Sequence, residues 1–316
     1  MASVGRRKRL RAKYGMWERG AAAWEHLTGQ AGGYFCPICQ GGYRRGAVDA
    51  GLLTVDHVPP ASLGGKELVL TCKECNNTAG HTVDAAVRAR EDLFALGRAL
   101  FQREGTVSGR GAITIGDTRL NIDFAIGPDG PTFVVPREIN DPAKIEAQEA
   151  YLRDSSAGKV PSPRSLTFST GIRFRSLHAK VGDLRTAYLA AFAKYGYWYA
   201  LHPHLDAVRR QIRNPDTAIL PDSAWSLIMQ PSEHRPPLLL GLHTPTEALS
   251  VYVGRVLVHL PWLNEVEDPY PLIAAARKRD GATTFSGEVL DWPTVMSMSI
   301  DFQLPKGAGR ATDTDA

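Results

Sequence analysis

Cysteine is scarce in this sequence, and long apolar runs are missing. The chain of 316 residues contains only 4 cysteines, which argues against a framework of several disulfides. No segment approaches the roughly 18 consecutive apolar residues that a membrane-spanning helix requires. A basic run at residues 6–13 is not followed by the apolar stretch of a secretory signal. We therefore expect a protein of the cytoplasm, where thiols stay reduced.

The composition is otherwise that of a globular protein, with 43% hydrophobic and 22% charged residues. The formal net charge is +4, but it is unevenly spread. Residues 1–110 hold 16 Lys and Arg against 10 Asp and Glu, a net of +6, and the remaining residues hold 21 against 23, a net of −2. A basic first third favours a polyanionic partner, most simply nucleic acid. The alternative is that "GRRKRLRAK" is a solvated, disordered tail.

Periodicity predicts an α+β protein. Residues 82–102 have the apolar spacing of an amphipathic helix, and glycines at 103–111 indicate a linker. Alternation with Gly-Asp and Asp-Gly turns predicts an antiparallel meander over 111–136. Helices are predicted at 141–154 and 183–201, followed by further strands. The predicted organisation is a basic extension (1–30), a cysteine-bearing domain (31–104), a separate α+β domain of unknown type (111–304) and a disordered tail (305–316).

The four cysteines form two pairs, Cys36-Pro-Ile-Cys39 and Cys72-Lys-Glu-Cys75. Two-residue spacing lets both thiolates of a pair reach one ion from a tight knuckle, and two pairs complete a tetrahedral site. Closed sites with four cysteines are structural. The pattern therefore predicts one structural zinc ion.

The segment between the two pairs is longer than in a plain zinc ribbon. It reads as a strand ("LLTVDHV"), a loop ("PPASLGGK") and a second strand ("ELVLT"), followed by the second knuckle and a helix. The predicted order is strand, loop, strand, knuckle and helix, with the metal clamping the base.

"CPIC", "TVDHVPPASLGGK" and "LVLTCKECNNTAG" together resemble the zinc-containing branch of the HNH endonucleases, also called ββα-metal or His-Me finger nucleases. The resemblance covers residues 36 to about 82. It implies a ββα-metal finger clamped by Cys36, Cys39, Cys72 and Cys75, and an endonuclease that cuts DNA with a single divalent metal.

The resemblance also implies roles for particular residues. His57 would be the general base, because an imidazole accepts a proton near neutral pH. Asp56 and Asn76 would hold a catalytic Mg²⁺ or Mn²⁺ ion through oxygen atoms. His81, one turn further along the helix, would contact the phosphate, and the helix N-terminus there favours an anion. The expected partner is double-stranded DNA, with Lys66 and Lys73 as further candidate contacts on either side of the second strand.

Several of these assignments have alternatives. His57 could be a structural histidine beside the metal, and Asp56 could cap a turn. Asn76 and Asn77 are both suited to the start of a helix, and only the family register favours Asn76. The sequence also departs from the family at Glu67, where an Asn is common. Glu67 could orient the His57 ring or be an exposed loop residue. A non-cleaving zinc-finger module that binds nucleic acid is the alternative function.

Overall fold

A computed structural model describes residues 2–115, 117–161, 166–228, 236–263, 268–280 and 284–298. The tail predicted to be disordered at 305–316 lies outside the described residues. Within the described ranges, no helix combines the length and the apolar character needed to cross a membrane.

The protein is a mixed helix and sheet structure, as predicted. The helices are α1 (Ala2–Thr28), α2 (Gly46–Asp49), α3 (Lys73–His81), α4 (Val83–Phe101), α5 (Pro142–Ser156), α6 (Ser176–Ala200), α7 (Asp206–Arg213) and α8 (Tyr270–Asp280). The strands are β1 (Tyr34–Phe35), β2 (Gly42–Tyr43), β3 (Leu53–Val58), β4 (Lys66–Cys72), β5 (Val107–Ile115), β6 (Thr118–Gly127), β7 (Gly130–Val134), β8 (Leu166–Thr170), β9 (Trp225–Leu227), β10 (Leu238–Thr244), β11 (Ala248–Val253), β12 (Val256–Pro261) and β13 (Ser286–Leu290).

Within the described ranges, all paired strands are antiparallel and form four sheets. Two sheets have two strands each, β1-β2 and β3-β4. A third has four strands in the order β7-β6-β5-β8, and the fourth has five in the order β13-β10-β11-β12-β9. Antiparallel neighbours can be joined by tight turns, which is why short polar segments suffice between most of these strands.

Contacts divide the chain into two compact units. The larger unit comprises residues 1–87 and 175–316, and the smaller comprises residues 88–174. In the larger unit, one apolar core joins β3 and β4 to α6 and to the five-stranded sheet. Tyr188, Phe192 and Tyr199 of α6 are fully buried in that core. The first and last parts of the chain therefore fold around the same helix.

The smaller unit contains most of α4, the four-stranded sheet and α5. Leu96 and Ala99 of α4 pack with Ile113, Ile122 and Phe124 of the sheet. The strand β6 alternates buried and exposed residues along its length, as expected for a sheet with one face on a core and the other in solvent.

The basic N-terminal segment lies within a helix of 27 residues, α1. This helix is part of the larger unit, and its middle turns pack into the core of that unit through Met16, Trp17 and Ala21, which are buried. A Cβ atom at Gly20 would lie 2.3 Å from the Tyr34 ring, so glycine permits this close approach. From Arg7 to Ala12 the helix surface is mostly exposed.

The predicted helices at 82–102 and 141–154 are confirmed as α4 and α5, and Asp141 caps the latter by accepting from the Ala143 amide at 3.0 Å. The linker predicted at 103–111 is wrong from Val107 onward, because β5 begins there and pairs with β6. The smaller unit begins at Arg88, within α4, because Leu96 and Ala99 of this helix pack on the four-stranded sheet. The predicted domain boundaries stay a prediction.

Candidate metal centre and nuclease site

The site is built on the hairpin of β3 and β4. Its register shifts between Asp56 and His57, so that Asp56 lies opposite Val69 and His57 lies opposite Glu67. A bulge of this kind turns the following side chain to a new direction. The loop closes tightly, since a Cβ atom at Gly65 would lie 1.5 Å from the Pro59 carbonyl oxygen. Glycine is therefore required at this position of the "GGK" motif.

The four cysteines converge, as predicted. The Sγ atoms of Cys36, Cys39, Cys72 and Cys75 all lie within 4.8 Å of one another. Tetrahedral zinc with Zn–S bonds of about 2.3 Å places its sulfurs about 3.8 Å apart, and the Cys39 and Cys72 sulfurs are 3.7 Å apart. The amides of Cys72 and Cys75 point at the sulfurs of Cys36 and Cys72, at 3.4 Å each. The cluster can hold a metal ion.

Contacts among the thiols separate their pKa values. Hydrogen bonds with Cys39, then Cys72 and Cys75, raise the pKa of the Cys36 thiol far above its ordinary value. The bond with Cys36 lowers the pKa of Cys39 to about 6. Bonds from Cys36 and Cys75 lower the pKa of Cys72 as well. For Cys75, the bond with Cys36 lowers the pKa, but the bond with Cys72 and burial outweigh it and raise the pKa to about 12. Two pKa values are thus raised and two are lowered, because the crowded thiols share protons. Metal ligands must be thiolates, and a bound cation would supply the positive charge that favours this state at all four cysteines.

Helix α6 supports the first knuckle from far along the chain. The Tyr188 hydroxyl donates to the Pro37 carbonyl at 2.8 Å. The Tyr197 hydroxyl accepts from the Phe35 amide at 2.8 Å and donates to the Phe35 carbonyl at 2.7 Å. These bonds fix the backbone on the N-terminal side of the knuckle and within it.

Asn76, in the first half of α3, is anchored to β3. Its side-chain Nδ2 donates to the Thr54 hydroxyl at 3.0 Å and to the Val55 carbonyl at 3.2 Å. Because the Val55 carbonyl can only accept, the amide nitrogen must face the strand. The Oδ1 atom of Asn76 is then the end of the side chain that remains to act as a ligand. Asn77, the alternative by composition, is exposed.

Asp56 is enclosed. Its side chain is 3% exposed, and its Oδ2 atom accepts from the Thr71 hydroxyl at 2.9 Å. The same oxygen accepts from Nη2 of Arg185, which is 2% exposed and lies in α6. Arg185 Nη1 lies 3.4 Å from Asp84 Oδ1, and burial raises the pKa of Asp84 against the opposing effect of Arg185. Asp56 therefore belongs to a buried charged cluster as well as to the hairpin.

His57 is half-buried, and Glu67 faces it across the hairpin. Glu67 is exposed, and among the described residues no hydrogen bond joins the two side chains. His57 and Glu67 are thus neighbours by register. The roles predicted for them stay predictions.

The remaining predicted contacts lie on the surface of the same segment. His81 ends α3 and is exposed, and so are Lys66 at the start of β4 and Lys73 at the start of α3. They are available to solvent and to a polyanion. Arg209 of α7, by contrast, is a buried arginine that bonds to Asp206 and to the Ala200 carbonyl, so it has little freedom to reach a phosphate.

Sequence reasoning missed Arg185. It lies over one hundred residues after the hairpin, inside an apolar, Ala-rich stretch that was predicted only as a helix. One signal was available: an arginine flanked by buried positions in "VGDLRTAYLAAF" implies a buried charge, and a buried charge needs a partner.

Comparison with known proteins agrees with this geometry. Residues 36–91 match a family model described as HNH endonuclease. The match begins at the first cysteine and includes the hairpin, α3 and the first turns of α4. No curated protein and no solved structure matches the chain significantly. The resemblance read from the sequence is confirmed for this segment, and Arg185 lies outside it.

Proposed function

We propose that the protein is a nuclease that hydrolyses DNA with a histidine base and a single divalent metal ion. The proposal is supported by the position of the Asn76 side chain. Its amide nitrogen is hydrogen-bonded to β3 at the two residues that precede Asp56 and His57. All three residues lie within residues 36–91, which match a family model described as HNH endonuclease, and they stand in the register that the resemblance implies. Mere binding of nucleic acid needs none of them in that register.

Each residue has a defined task in this proposal. Asp56 and Asn76 hold Mg²⁺ or Mn²⁺ by oxygen, and such ions commonly use only one or two protein ligands. The ion, when bound, supplies positive charge that stabilises the departing oxygen. His57 takes a proton from the attacking water. The water oxygen bonds to phosphorus as the P–O3′ bond breaks, and the departing O3′ takes a proton from solvent water, which leaves 5′-phosphate and 3′-hydroxyl ends.

Zinc has a separate, structural place in the proposal. The four thiols match its preferred ligand type, number and spacing. A closed site of this type leaves no position for water or substrate. We infer that zinc fixes the hairpin and α3, and that the catalytic ion is a different one.

The test is incubation of the zinc-loaded protein with plasmid and Mg²⁺ or Mn²⁺. His57→Ala should bind DNA like the parent and cleave it about 10²–10⁴ times more slowly, the usual loss for a positioned general base. The matched control is His26→Ala, since His26 is an exposed histidine of α1. Cleavage by His57→Ala at the parental rate, or no cleavage of any nucleic acid by the parent, would overturn the nuclease proposal.

The second candidate is a zinc-finger module that binds nucleic acid without cleaving it. The buried pair of Asp56 and Arg185 favours it, because the carboxylate already has a cationic partner. This candidate predicts tight binding of DNA with no metal-dependent cleavage. The plasmid experiment therefore separates the two.

We further propose that exposed basic residues of α1 contact the DNA backbone. Arg7, Arg9 and Arg11 are exposed on this helix. Replacing the three arginines with Gln should weaken DNA binding. The fall of log K for DNA binding with log salt concentration should also become less steep, by about 0.9 for each lost phosphate contact. The control replaces Lys144, Arg153 and Lys159, which are exposed in or just after α5. Equal effects of both sets, measured by fluorescence anisotropy, would contradict a role specific to α1.

A further inference from the structure

Arg185 is a buried cation that the matched segment does not contain. It is among the largest fully buried side chains, in a helix whose neighbouring residues are nearly all buried. Removing a charge from water is costly unless the charge is paired and hydrogen-bonded. The function of the Arg185 guanidinium can therefore be inferred from the groups that it contacts.

Those partners converge on the proposed catalytic strand. Nη2 contacts Asp56 Oδ2, and Nη1 lies 3.4 Å from Asp84 Oδ1 in α4. Thr71 of β4 donates to the same Asp56 oxygen at 2.9 Å. Two donors from different elements thus hold one oxygen of a carboxylate whose chain neighbour is His57.

The two carboxylate oxygens of Asp56 differ in their contacts. Among the described residues, the recorded contacts of this carboxylate all involve Oδ2. Carboxylates that ligate metals are commonly oriented by hydrogen bonds from outer partners, which act on the metal through the ligand. A guanidinium is suited to this task because its donors form a rigid planar fork.

We propose that Arg185 is a positioning residue for Asp56: with Thr71 it holds Oδ2, so that Oδ1 is presented to the divalent cation. Asp84 shares the positive charge of the guanidinium and limits its repulsion of that cation. The inference rests on the proposed function and extends the site to α6, outside the segment that matches the family.

The test measures Mn²⁺ binding by electron paramagnetic resonance of the free ion, using the full-length, zinc-loaded protein. Arg185→Met removes the donors and keeps most of the side-chain volume, and Arg185→Lys keeps the charge. Asp56→Asn gives the affinity of a site without its carboxylate. The matched control is Arg209→Met, because Arg209 is another buried arginine of the larger unit that pairs with an aspartate.

We expect Arg185→Met to bind Mn²⁺ about 10–100 times more weakly, the usual loss when an outer partner of a metal ligand is removed. Arg185→Lys should lie between Arg185→Met and the parent, and Arg209→Met should bind like the parent. Affinity that is unchanged or tighter in Arg185→Met would overturn the inference, and tighter binding would mean that the guanidinium competes with the ion.

If Arg185→Met does not fold, Arg185→Lys decides, and parental Mn²⁺ affinity in that variant would overturn the inference. The proposed function fails separately, when the parent neither shows Asp56-dependent Mn²⁺ binding nor cleaves plasmid. A parent that binds and cleaves, beside an Arg185→Met variant that does both equally well, would remove only the role of Arg185.

Discussion

The cysteine hairpin region (residues 36–81) and the five-stranded sheet share the core of the larger unit but are held together differently. The hairpin region has only the two strands β3 and β4 on which to place its site, and an isolated hairpin is marginally stable in water. It relies on four convergent thiols and on the buried charge of Arg185. The sheet has five strands, and every residue of β11 and β12 is buried.

The sheet also contains a buried titratable residue, and it keeps that residue uncharged. His259 of β12 is fully buried between Ser226 at 2.7 Å from Nε2 and Ser250 at 2.7 Å from Nδ1. Burial, and to a smaller extent Arg277, lowers the pKa of His259 to about 3. Hydroxyl groups can donate to one ring nitrogen and accept from the other. A large sheet thus satisfies a neutral polar group with its own strands, whereas the small hairpin lies beside a cluster of four thiols and is joined to α6 by an ion pair.

Breaking the thiol cluster should have the largest effect. Structural zinc sites contribute on the order of 10 kcal/mol or more to folding, so Cys72→Ser should lose zinc and expose the hairpin region. We expect fast hydrogen exchange of amides in β3 and β4, with more protection retained in β11 and β12. Ser62→Ala, at an exposed loop position, is the control. Metal-free protein whose β3 and β4 amides stay fully protected from hydrogen exchange would show that the thiol cluster does not stabilise the hairpin.

Breaking the ion pair should have the next largest effect. Arg185→Met leaves Asp56 as a buried charge without its cation, which typically costs about 3–5 kcal/mol of stability. Adding Asp56→Asn removes that charge and should restore part of the loss. Urea denaturation of the three variants and the parent measures the coupling. A double variant no more stable than Arg185→Met would mean that the two side chains are not energetically coupled.

The neutral histidine predicts a smaller, pH-dependent effect. His259 has a folded pKa of about 3, below the ordinary value of about 6.5. Between these values the unfolded chain binds a proton that the folded chain does not, so stability falls as pH falls, by about 1.4 kcal/mol per pH unit. His259→Gln keeps a side chain that can both donate and accept but does not titrate.

Comparing the two proteins between pH 6.5 and 5 isolates this effect, because zinc release and other titrations are common to both. The free energy of unfolding should depend less steeply on pH in His259→Gln than in the parent. Identical slopes would show that His259 accepts a proton without unfolding the sheet.

Local patterns in the sequence predicted the short-range parts of this structure well. Two-residue spacing of the cysteines, the "GGK" loop and the apolar stripe of 82–102 each lead to the observed knuckle, tight loop and helix α4. These features succeed because they depend on neighbours within one turn or one hairpin. The linker predicted at 103–111 was wrong because local signals do not include distant partners. Its glycines disfavour a strand locally, but hydrogen bonding to β6 makes residues from Val107 onward a strand.

The identity of the thiol ligands, the hairpin and the likeness to HNH endonucleases were all readable from residues 36–82, since a metal knuckle and its hairpin are encoded by closely spaced residues. Folding alone brought Arg185 to Asp56, placed Tyr188 and Tyr197 beneath the first knuckle, and put His259 between two serines. The separations range from 9 residues for Ser250 and His259 to 162 residues for Phe35 and Tyr197. A charged residue in an apolar stretch of sequence indicates that a partner of opposite charge is needed. Only the packing of α6 against the hairpin determines that the partner of Arg185 is Asp56.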